Sequence, residues 1–206
     1  MSKGRFISLE GGEGVGKSTQ LKALAAALAE RGADVLTTRE PGGSPGAEAI
    51  RSLLLRGETD RWSMRAEALL FAAARADHVE KTIRPALDGG RWVLADRFLD
   101  SSLAYQGTAG GLGVSDVRAL HRFGSENFLP DRTLVLILME GAERAHRRDK
   151  GESDRIGGRA ADYHQAVEKG FRTIAAEEPG RVRLVDASGS PQEVTARLLR
   201  ELEDLL

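Results

Sequence analysis

The chain contains 206 residues, with a formal net charge of −1, a hydrophobic share of 41% and no cysteine. Its length suits one domain, and its apolar content is enough to form a sizeable core. The near-zero net charge excludes a global field that would attract nucleic acid or an anionic membrane. The absence of cysteine excludes disulfides, thiolate catalysis and cysteine-bound zinc. Affinity for an anionic ligand must therefore come from a local site.

The N-terminal residues lead directly into a strand-like segment and lack the apolar stretch of a signal peptide. The longest aliphatic run, residues 134–139, is far shorter than the roughly 20 residues of a membrane span. We therefore expect a cytoplasmic protein that binds neither membranes nor nucleic acid.

Short apolar runs alternate along the chain with stretches of helical spacing. Strands are predicted at residues 5–10, 33–38, 91–96, 132–139 and 181–186. Helices are predicted at residues 17–31, 47–56, 63–88 and 191–206, with Pro85 marking a kink or an end in the third. This alternation predicts an α/β fold with a five-stranded parallel sheet and helices on both faces. Such a sheet binds its ligands at the carboxyl ends of the strands.

The strongest motif follows the first predicted strand and precedes the first predicted helix. Residues 11–18, GGEGVGKS, match the P-loop pattern G-x-x-x-x-G-K-[ST] without a departure. Its glycines allow the backbone N–H groups and the helix N-terminus to surround phosphate oxygens. Lys17 places a charge on the β- and γ-phosphates, and Ser18 offers a hydroxyl to Mg²⁺. The predicted ATP-binding residues are Gly11, Gly12, Glu13, Gly14, Val15, Gly16, Lys17, Ser18 and Thr19.

The P-loop predicts nucleoside triphosphate binding but does not identify what receives the phosphate. Two segments after predicted strands address this: TREPGG at residues 38–43 and DRFLDSSLAYQG at residues 96–107. Together with the P-loop they resemble the thymidylate kinases, enzymes that make dTDP from dTMP and ATP, and the resemblance extends over nearly the whole chain. It implies a P-loop nucleoside-monophosphate kinase fold in which residues 1–206 form a single kinase domain. It also implies a mobile lid at about residues 144–159, Mg²⁺ as cofactor and a homodimer.

Two arginines are expected to bind the acceptor phosphate. Arg39 and Arg97 end adjacent core strands, and a guanidinium suits bidentate binding of phosphate, although the residues alone also fit a salt-bridged pair. The resemblance implies that both hold the phosphate of dTMP, and that Arg97 is catalytic together with Lys17. Asp96 is expected to hold Mg²⁺ with Ser18, or else only to orient Arg97.

Phe71 and Arg75 lie four residues apart and so share a helix face. Spacing alone favours a core phenylalanine beside a surface arginine. The resemblance instead implies that Phe71 stacks on thymine and that Arg75 contacts its O4, which rejects cytosine. It places Glu13 at the 3′-hydroxyl of the sugar, and Leu53 or Leu54 near the thymine methyl. The implied substrate-binding residues are Glu13, Arg39, Pro41, Phe71, Arg75, Arg97, Ser101, Ser102, Tyr105 and Gln106.

The charged, glycine-interrupted stretch at residues 144–159 corresponds to the lid of the family. Some thymidylate kinases carry a catalytic arginine in the P-loop, where this chain has Gly14 and Val15. The resemblance therefore implies that the lid supplies this arginine, with Arg148 and Arg155 as the best candidates and Arg147 behind them. The family usually has Asp-Arg, then an aromatic residue or Ile, then Glu; this chain has Asp154, Arg155 and Ile156 followed by Gly157 in place of the glutamate.

Two alternatives remain open from the sequence. The chain could be a kinase for another nucleoside monophosphate, such as uridylate, cytidylate or guanylate. It could also be a P-loop ATPase or a GTPase switch, but a GTPase needs a guanine-reading N-K-x-D segment after a strand. The fourth predicted strand leads instead into EGAE at residues 140–143.

Overall fold

The computed structural model describes residues 4–138 and 154–206. Five parallel strands form one sheet in the order β2-β3-β1-β4-β5. They are β1 (Phe6–Gly11), β2 (Val35–Arg39), β3 (Trp92–Asp96), β4 (Arg132–Ile137) and β5 (Val182–Asp186). The predicted strands and the α/β fold class are therefore confirmed, with small shifts at the strand ends.

Eight α-helices and two π-helical segments are found in the described ranges. The α-helices are α1 (Lys17–Ala29), α2 (Pro45–Leu55), α3 (Met64–His78), α4 (Arg84–Asp88), α5 (Leu99–Ser102), α6 (Val114–Ser125), α7 (Ala161–Glu177) and α8 (Pro191–Arg200). The π-helical segments are Val79–Ile83, between α3 and α4, and Leu103–Ala109, after α5. Within the described ranges, no helix combines the length and apolar content needed to cross a bilayer.

Helical backbone covers almost all of the predicted range 63–88, whereas the predicted end of the last helix is wrong. Helical backbone continues through Pro85 to Asp88, because the π-helical segment changes the hydrogen-bond register before the proline. Pro85 then lies in the first turn of α4, where a missing N–H has little effect. The last helix ends at Arg200 and is followed by turns, whereas the sequence pattern predicted a helix as far as Leu206.

The sheet separates two apolar cores, because alternate side chains of each strand point to opposite faces. Ile7 and Leu9 of β1 pack on one face with Leu24 of α1 and Leu198 of α8. Phe6 packs on the other face, where residues of α3, α5, α6 and α7 cover the sheet. By the same alternation, Ser8 and Glu10 share the Phe6 face, and both are fully buried polar residues.

The strand register brings three functional segments to one edge of the sheet. Leu9 of β1 pairs with Asp96 of β3, and Asp96 pairs in turn with Arg39 of β2. The loop after β1, the turn after β3 and the end of β2 therefore lie side by side. This is the carboxyl edge, where the alternation of strands and helices predicts a ligand.

Candidate active site

The P-loop joins β1 to α1 in a conformation that requires glycine. Gly11 has φ 133°, and a Cβ at this position would lie 2.4 Å from the carbonyl oxygen of Leu136 in the neighbouring strand. Gly16 has φ 90° and immediately precedes α1, which begins at Lys17. The left-handed backbone that glycine tolerates thus turns the chain from strand to helix around a space for phosphate.

Lys17 is buried and lies across this loop. Its Nζ donates to the carbonyl oxygens of Gly11 at 3.2 Å and Gly12 at 2.6 Å. Burial, followed by the charge of Arg97, lowers the pKa of Lys17 to about 8. The two carbonyl oxygens carry only partial negative charge, whereas phosphate oxygens would carry full charges. A bound phosphate would therefore favour the protonated form of Lys17.

Ser18 and Asp96 meet beside the P-loop. The Ser18 hydroxyl donates to Asp96 Oδ2 at 3.2 Å, while the buried Oδ1 of Asp96 has no hydrogen-bond partner in the described residues. A hydroxyl next to a carboxylate oxygen with spare acceptor capacity fits Mg²⁺, which prefers oxygen ligands. Residues 4–138 and 154–206 contain no group of three or more acidic, histidine or cysteine ligands.

Arg97 occupies the turn between β3 and α5 with φ 71°, a left-handed conformation that costs a non-glycine residue about 1–2 kcal/mol. Its guanidinium donates to the Gly11 carbonyl at 3.0 Å, to Ser101 Oγ at 3.1 Å and to Glu13 Oε1 at 2.6 Å. It also lies over the ring of Tyr105, 5.1 Å from the centroid. Burial raises the pKa of Glu13, but the charges of Arg97 and Lys17 more than offset this and hold it below its ordinary value.

Arg39 lies at the end of β2, and its side chain is 56% exposed. It donates to Glu48 of α2, with the shorter contact at 3.2 Å to Oε2. Arg51, also on α2, donates to the carbonyl oxygen of Pro41 at 2.7 Å. Burial lowers the pKa of Arg51, and the positive charge of Arg39 lowers it further. An anion bound between Arg39 and Arg51 would relieve the repulsion between them.

Arg75 is held rigidly on α3. Its Nε donates to Glu40 Oε2 at 2.8 Å, and its Nη2 donates to Ser102 Oγ at 2.8 Å and to the Phe98 carbonyl at 3.1 Å. Glu40 also contacts His78 Nδ1 at 3.1 Å, so both of its oxygens are used. This buried network fixes the plane of the Arg75 guanidinium at the wall of the site.

These groups surround one cavity of about 420 Å³. Of the predicted residues, it is lined by Glu13, Gly14, Gly16, Lys17, Ser18, Thr19, Arg39, Pro41, Phe71, Arg75, Asp96, Arg97, Ser101, Ser102, Tyr105 and Gln106. Gly11, Gly12 and Val15 border a smaller cavity on the other side of the P-loop, between β4 and α7. The main cavity therefore runs from the P-loop to the wall formed by Arg75.

Comparison with known proteins assigns the family. The family model for thymidylate kinase matches residues 9–198. The chain belongs to the thymidylate kinase family. The thymidylate kinase of Rhizorhabdus wittichii is 63% identical over 205 residues, covering 98% of this chain and 99% of the relative. That of Bradyrhizobium diazoefficiens is 47% identical over 207 residues, covering 99% of this chain and 91% of the relative.

A solved structure gives the same result. The crystal structure of thymidylate kinase from Ehrlichia chaffeensis matches with a TM-score of 0.79 at 28% identity, covering 97% of this chain and 99% of the other. The predicted nucleoside-monophosphate kinase fold is therefore confirmed, and the chain is an enzyme of the ATP-dependent kinase class. The roles of individual residues in this thymidylate kinase family member stay predictions that the cavity geometry supports.

The pocket expected for the thymine methyl needs one correction. Pro41 lines the cavity as predicted, but Leu55 lines it in place of Leu53 or Leu54. Leu54 is fully buried elsewhere in the core and Leu53 is partly exposed to solvent. Helix α2 begins two residues earlier than predicted, at Pro45, and the side chain that faces the cavity comes from its last residue.

Sequence reasoning missed several residues of the site. Arg51, Glu40, Asp154 and Ile156 all line the cavity. Arg51 precedes Leu55 by four residues and so shares its helix face, a signal that the sequence contains. Glu40 stands within the TREPGG segment, and a carboxylate in a buried motif needs a cationic partner, which Arg75 provides.

The structure disagrees with the catalytic role predicted for Arg155. Its side chain is fully buried, does not line the cavity, and pairs with the buried carboxylate of Glu67. It also donates to the carbonyl oxygens of Leu54 at 2.7 Å and Thr59 at 3.0 Å, so each of its three nitrogens donates to a protein group. Arg155 therefore attaches the end of the predicted lid to α2 and α3. Arg148 and Arg147, like most of residues 144–159, lie outside the described residues.

We expect Arg155→Ala to act on stability. Loss of the guanidinium leaves Glu67 with Arg159 and Gln106 as partners and should lower the free energy of unfolding by about 3 kcal/mol. Urea denaturation measures this. Arg172→Ala is the matched control, because Arg172 forms an exposed pair with Glu168 whose loss should cost under about 1 kcal/mol. Unchanged stability with a turnover reduced a thousandfold would restore Arg155 to the reaction centre.

Proposed function

We propose that this chain transfers the γ-phosphoryl group of ATP to dTMP, giving dTDP and ADP, by direct in-line displacement. The observation that carries the proposal is one cavity lined by the P-loop, by Arg39 at the end of β2 and by Arg97 in the turn after β3. The P-loop end suits a triphosphate and the arginine end suits a monophosphate, and Lys17 and Arg97 of the two ends contact the same carbonyl oxygen. We also infer that residues 1–206 form a single kinase domain, since all described strands share one sheet.

The transfer itself needs no covalent enzyme intermediate. The phosphate of dTMP is already anionic, so no strong general base is required, and catalysis depends on alignment and charge neutralisation. Lys17 neutralises the donor phosphates from the P-loop side. Arg97 approaches from the acceptor side, and both side chains contact the same carbonyl oxygen, that of Gly11. This arrangement brings positive charge to both sides of the transferred group.

Mg²⁺ is the metal that the site fits. Ser18 and the free Oδ1 of Asp96 would hold it, directly or through water. When bound, it neutralises charge on the donor phosphates.

Selection of the base depends on Arg75. Its Nε and Nη2 are occupied by Glu40, Ser102 and Phe98, and its Nη1 forms no hydrogen bond among the described residues. A guanidinium can only donate, so it favours the O4 carbonyl of thymine over the amino group of cytosine. Phe71 lies on the same helix one turn away and provides an apolar ring for stacking.

We expect ATP consumption to depend on the acceptor. A coupled assay for ADP release should show turnover with dTMP and at least about a hundredfold lower kcat/KM with dCMP and dGMP, because a buried donor without its acceptor is costly. The same assay with dUMP measures the contribution of the methyl pocket. ATP hydrolysis at the same rate without any monophosphate would favour an ATPase or switch instead.

We also propose that the chain forms a homodimer in the cytoplasm. Helices α3 and α6 pack against each other, and each carries a large apolar residue open to solvent: Phe123 of α6 is 93% exposed and Leu69 of α3 is 55% exposed. Two copies that pair through these helices would bury both side chains.

A further inference from the structure

Glu10 is a buried carboxyl group directly behind the phosphate-binding arginine. It is the fifth residue of β1, has no exposed surface, and is part of no ion pair in the described residues. A buried acidic group without a cationic partner is costly, so its presence calls for an explanation. Glu10 has no role in the phosphoryl transfer proposed for Lys17 and Arg97.

Both oxygens of Glu10 contact the turn that carries Arg97. The backbone N–H of Phe98 donates to Oε1 at 2.7 Å, and a hydrogen bond of 2.5 Å joins Oε2 to Ser101 Oγ. Ser101 Oγ accepts in turn from Arg97 Nη1 at 3.1 Å. Glu10 is thus connected to Arg97 twice, through the backbone of the next residue and through a side-chain relay.

The backbone connection matters because Arg97 has a left-handed conformation. A non-glycine residue keeps such a conformation only where the surrounding structure holds it. The peptide N–H that follows Arg97 is held by Glu10, while the N–H of Arg97 itself donates to the Leu9 carbonyl at 2.9 Å. Both contacts come from β1, the strand that leads into the P-loop.

The other nearby carboxylate does not serve the same purpose. Asp100 is bound by Arg181 at 2.7 Å and by Thr133 at 2.9 Å, on the far side of the turn. Burial of Glu10, followed by the negative charge of Asp100, raises the pKa of Glu10 to about 8. The Ser101 hydroxyl and the Phe98 N–H both donate to Glu10, so its carboxyl group accepts at each oxygen from the turn that carries Arg97.

We propose that Glu10 is a positioning residue for the acceptor: it sets the backbone and the guanidinium of Arg97 for the phosphate of the monophosphate, through Phe98 N–H and Ser101. The proposal rests on the proposed function, in which Arg97 binds that phosphate. In this proposal Glu10 orients Arg97 and does not touch the substrate, because the hydrogen bonds of its side chain go to Phe98 and Ser101.

Glu10→Met removes both hydrogen bonds at a similar side-chain volume. We expect kcat/KM for dTMP to fall roughly 30-fold, because a displaced guanidinium misaligns the acceptor, while KM for ATP changes less than about threefold. Glu10→Gln keeps an acceptor for Phe98 N–H, and its amide N–H can donate to Ser101 Oγ once the Ser101 hydroxyl rotates away, so this variant should remain within about threefold of the wild type at pH 7. Ser8→Ala is the matched control, a buried hydroxyl on the same strand that contacts Thr133 instead of the turn.

A double-mutant cycle separates positioning from general damage. If Glu10 acts through Arg97, Glu10→Met adds no further loss of kcat/KM for dTMP once Arg97 is alanine. Additive losses, or equal increases in KM for both substrates, would overturn the proposal. If Glu10→Met does not fold, Ser101→Ala decides: we expect roughly a fivefold loss that disappears in the Arg97→Ala background, and a loss below twofold contradicts the relay. Absence of dTDP formation by the wild type would instead reject the proposed function.

Discussion

Lys17→Ala should reduce dTDP formation by at least about a thousandfold while leaving the fold intact. Lys17 is the P-loop cation, and its ammonium lies buried against the Gly11 and Gly12 carbonyls where the donor phosphates are expected. Without Lys17, one positive charge fewer offsets the repulsion between the negatively charged transferred group and the carboxylates of Glu13 and Asp96. Steady-state turnover with saturating dTMP and ATP measures the loss.

Stability should not fall in this variant. The buried ammonium has a lowered pKa, which means that the folded protein without substrate disfavours its charge. Thermal unfolding of Lys17→Ala should therefore occur at or above the temperature of the wild type at pH 7. Lys22→Ala, on the exposed side of the same helix, is the control and should retain full turnover. Near-normal activity of Lys17→Ala would contradict the phosphate-binding role.

Arg97→Ala should lower kcat/KM for dTMP by about a thousandfold, with little effect on KM for ATP. The expected loss is large because the substitution does more than remove a donor. It exposes the acceptor phosphate to Glu13, which Arg97 now pairs at 2.6 Å. Arg97→Lys should recover little activity, since an ammonium cannot reproduce three directed contacts to Gly11, Ser101 and Glu13.

Arg39→Ala provides the comparison. Arg39 lies at the end of the adjacent strand, but its side chain is about half exposed and already pairs with Glu48, so solvent and the neighbouring Arg51 compensate for its loss. We expect kcat/KM for dTMP to fall about 10- to 50-fold in this variant. Equal losses for Arg39→Ala and Arg97→Ala would mean that both act only as surface charge.

The carboxyl edge of the sheet could be predicted from the sequence because its signals are local. Apolar runs indicate strands. Lys17 belongs to the P-loop motif that follows the first strand, and Arg39 and Arg97 follow the second and third predicted strands. Parallel strands end at the same edge, so residues far apart in the chain could be expected to meet. The structure brings these side chains into one cavity, and this part of the site needed no knowledge of side-chain packing.

Buried polar partners could not be predicted in this way. Glu10 meets Ser101 across 91 residues, and Arg155 meets Glu67 across 88, with no pattern in the sequence linking either pair. The direction in which an arginine side chain points depends on which carboxylate the tertiary fold places near it. Arg155 was expected at the reaction centre because it occupies a motif position, and its burial beside Glu67 decides otherwise.

Helices α5, α6 and α7 were also missed. Glycines at positions 107, 110, 111 and 113 interrupt the apolar pattern around the first two. Helix α6 has an amphipathic pattern whose apolar positions include the exposed Phe123, so burial does not account for all of them. Tertiary packing against α3 and the π-helical segment after α5 stabilises these elements more than local propensity does.

One backbone atom links the two halves of the site. The carbonyl oxygen of Gly11 accepts hydrogen bonds from Lys17 and from Arg97, so two like charges compete for a single dipole. A phosphate that draws either cation away leaves this oxygen to the other and relieves their mutual repulsion. The Gly11 carbonyl therefore couples the donor and acceptor halves of the site, and we expect the affinity for each nucleotide to depend on the presence of the other by the same factor in both directions.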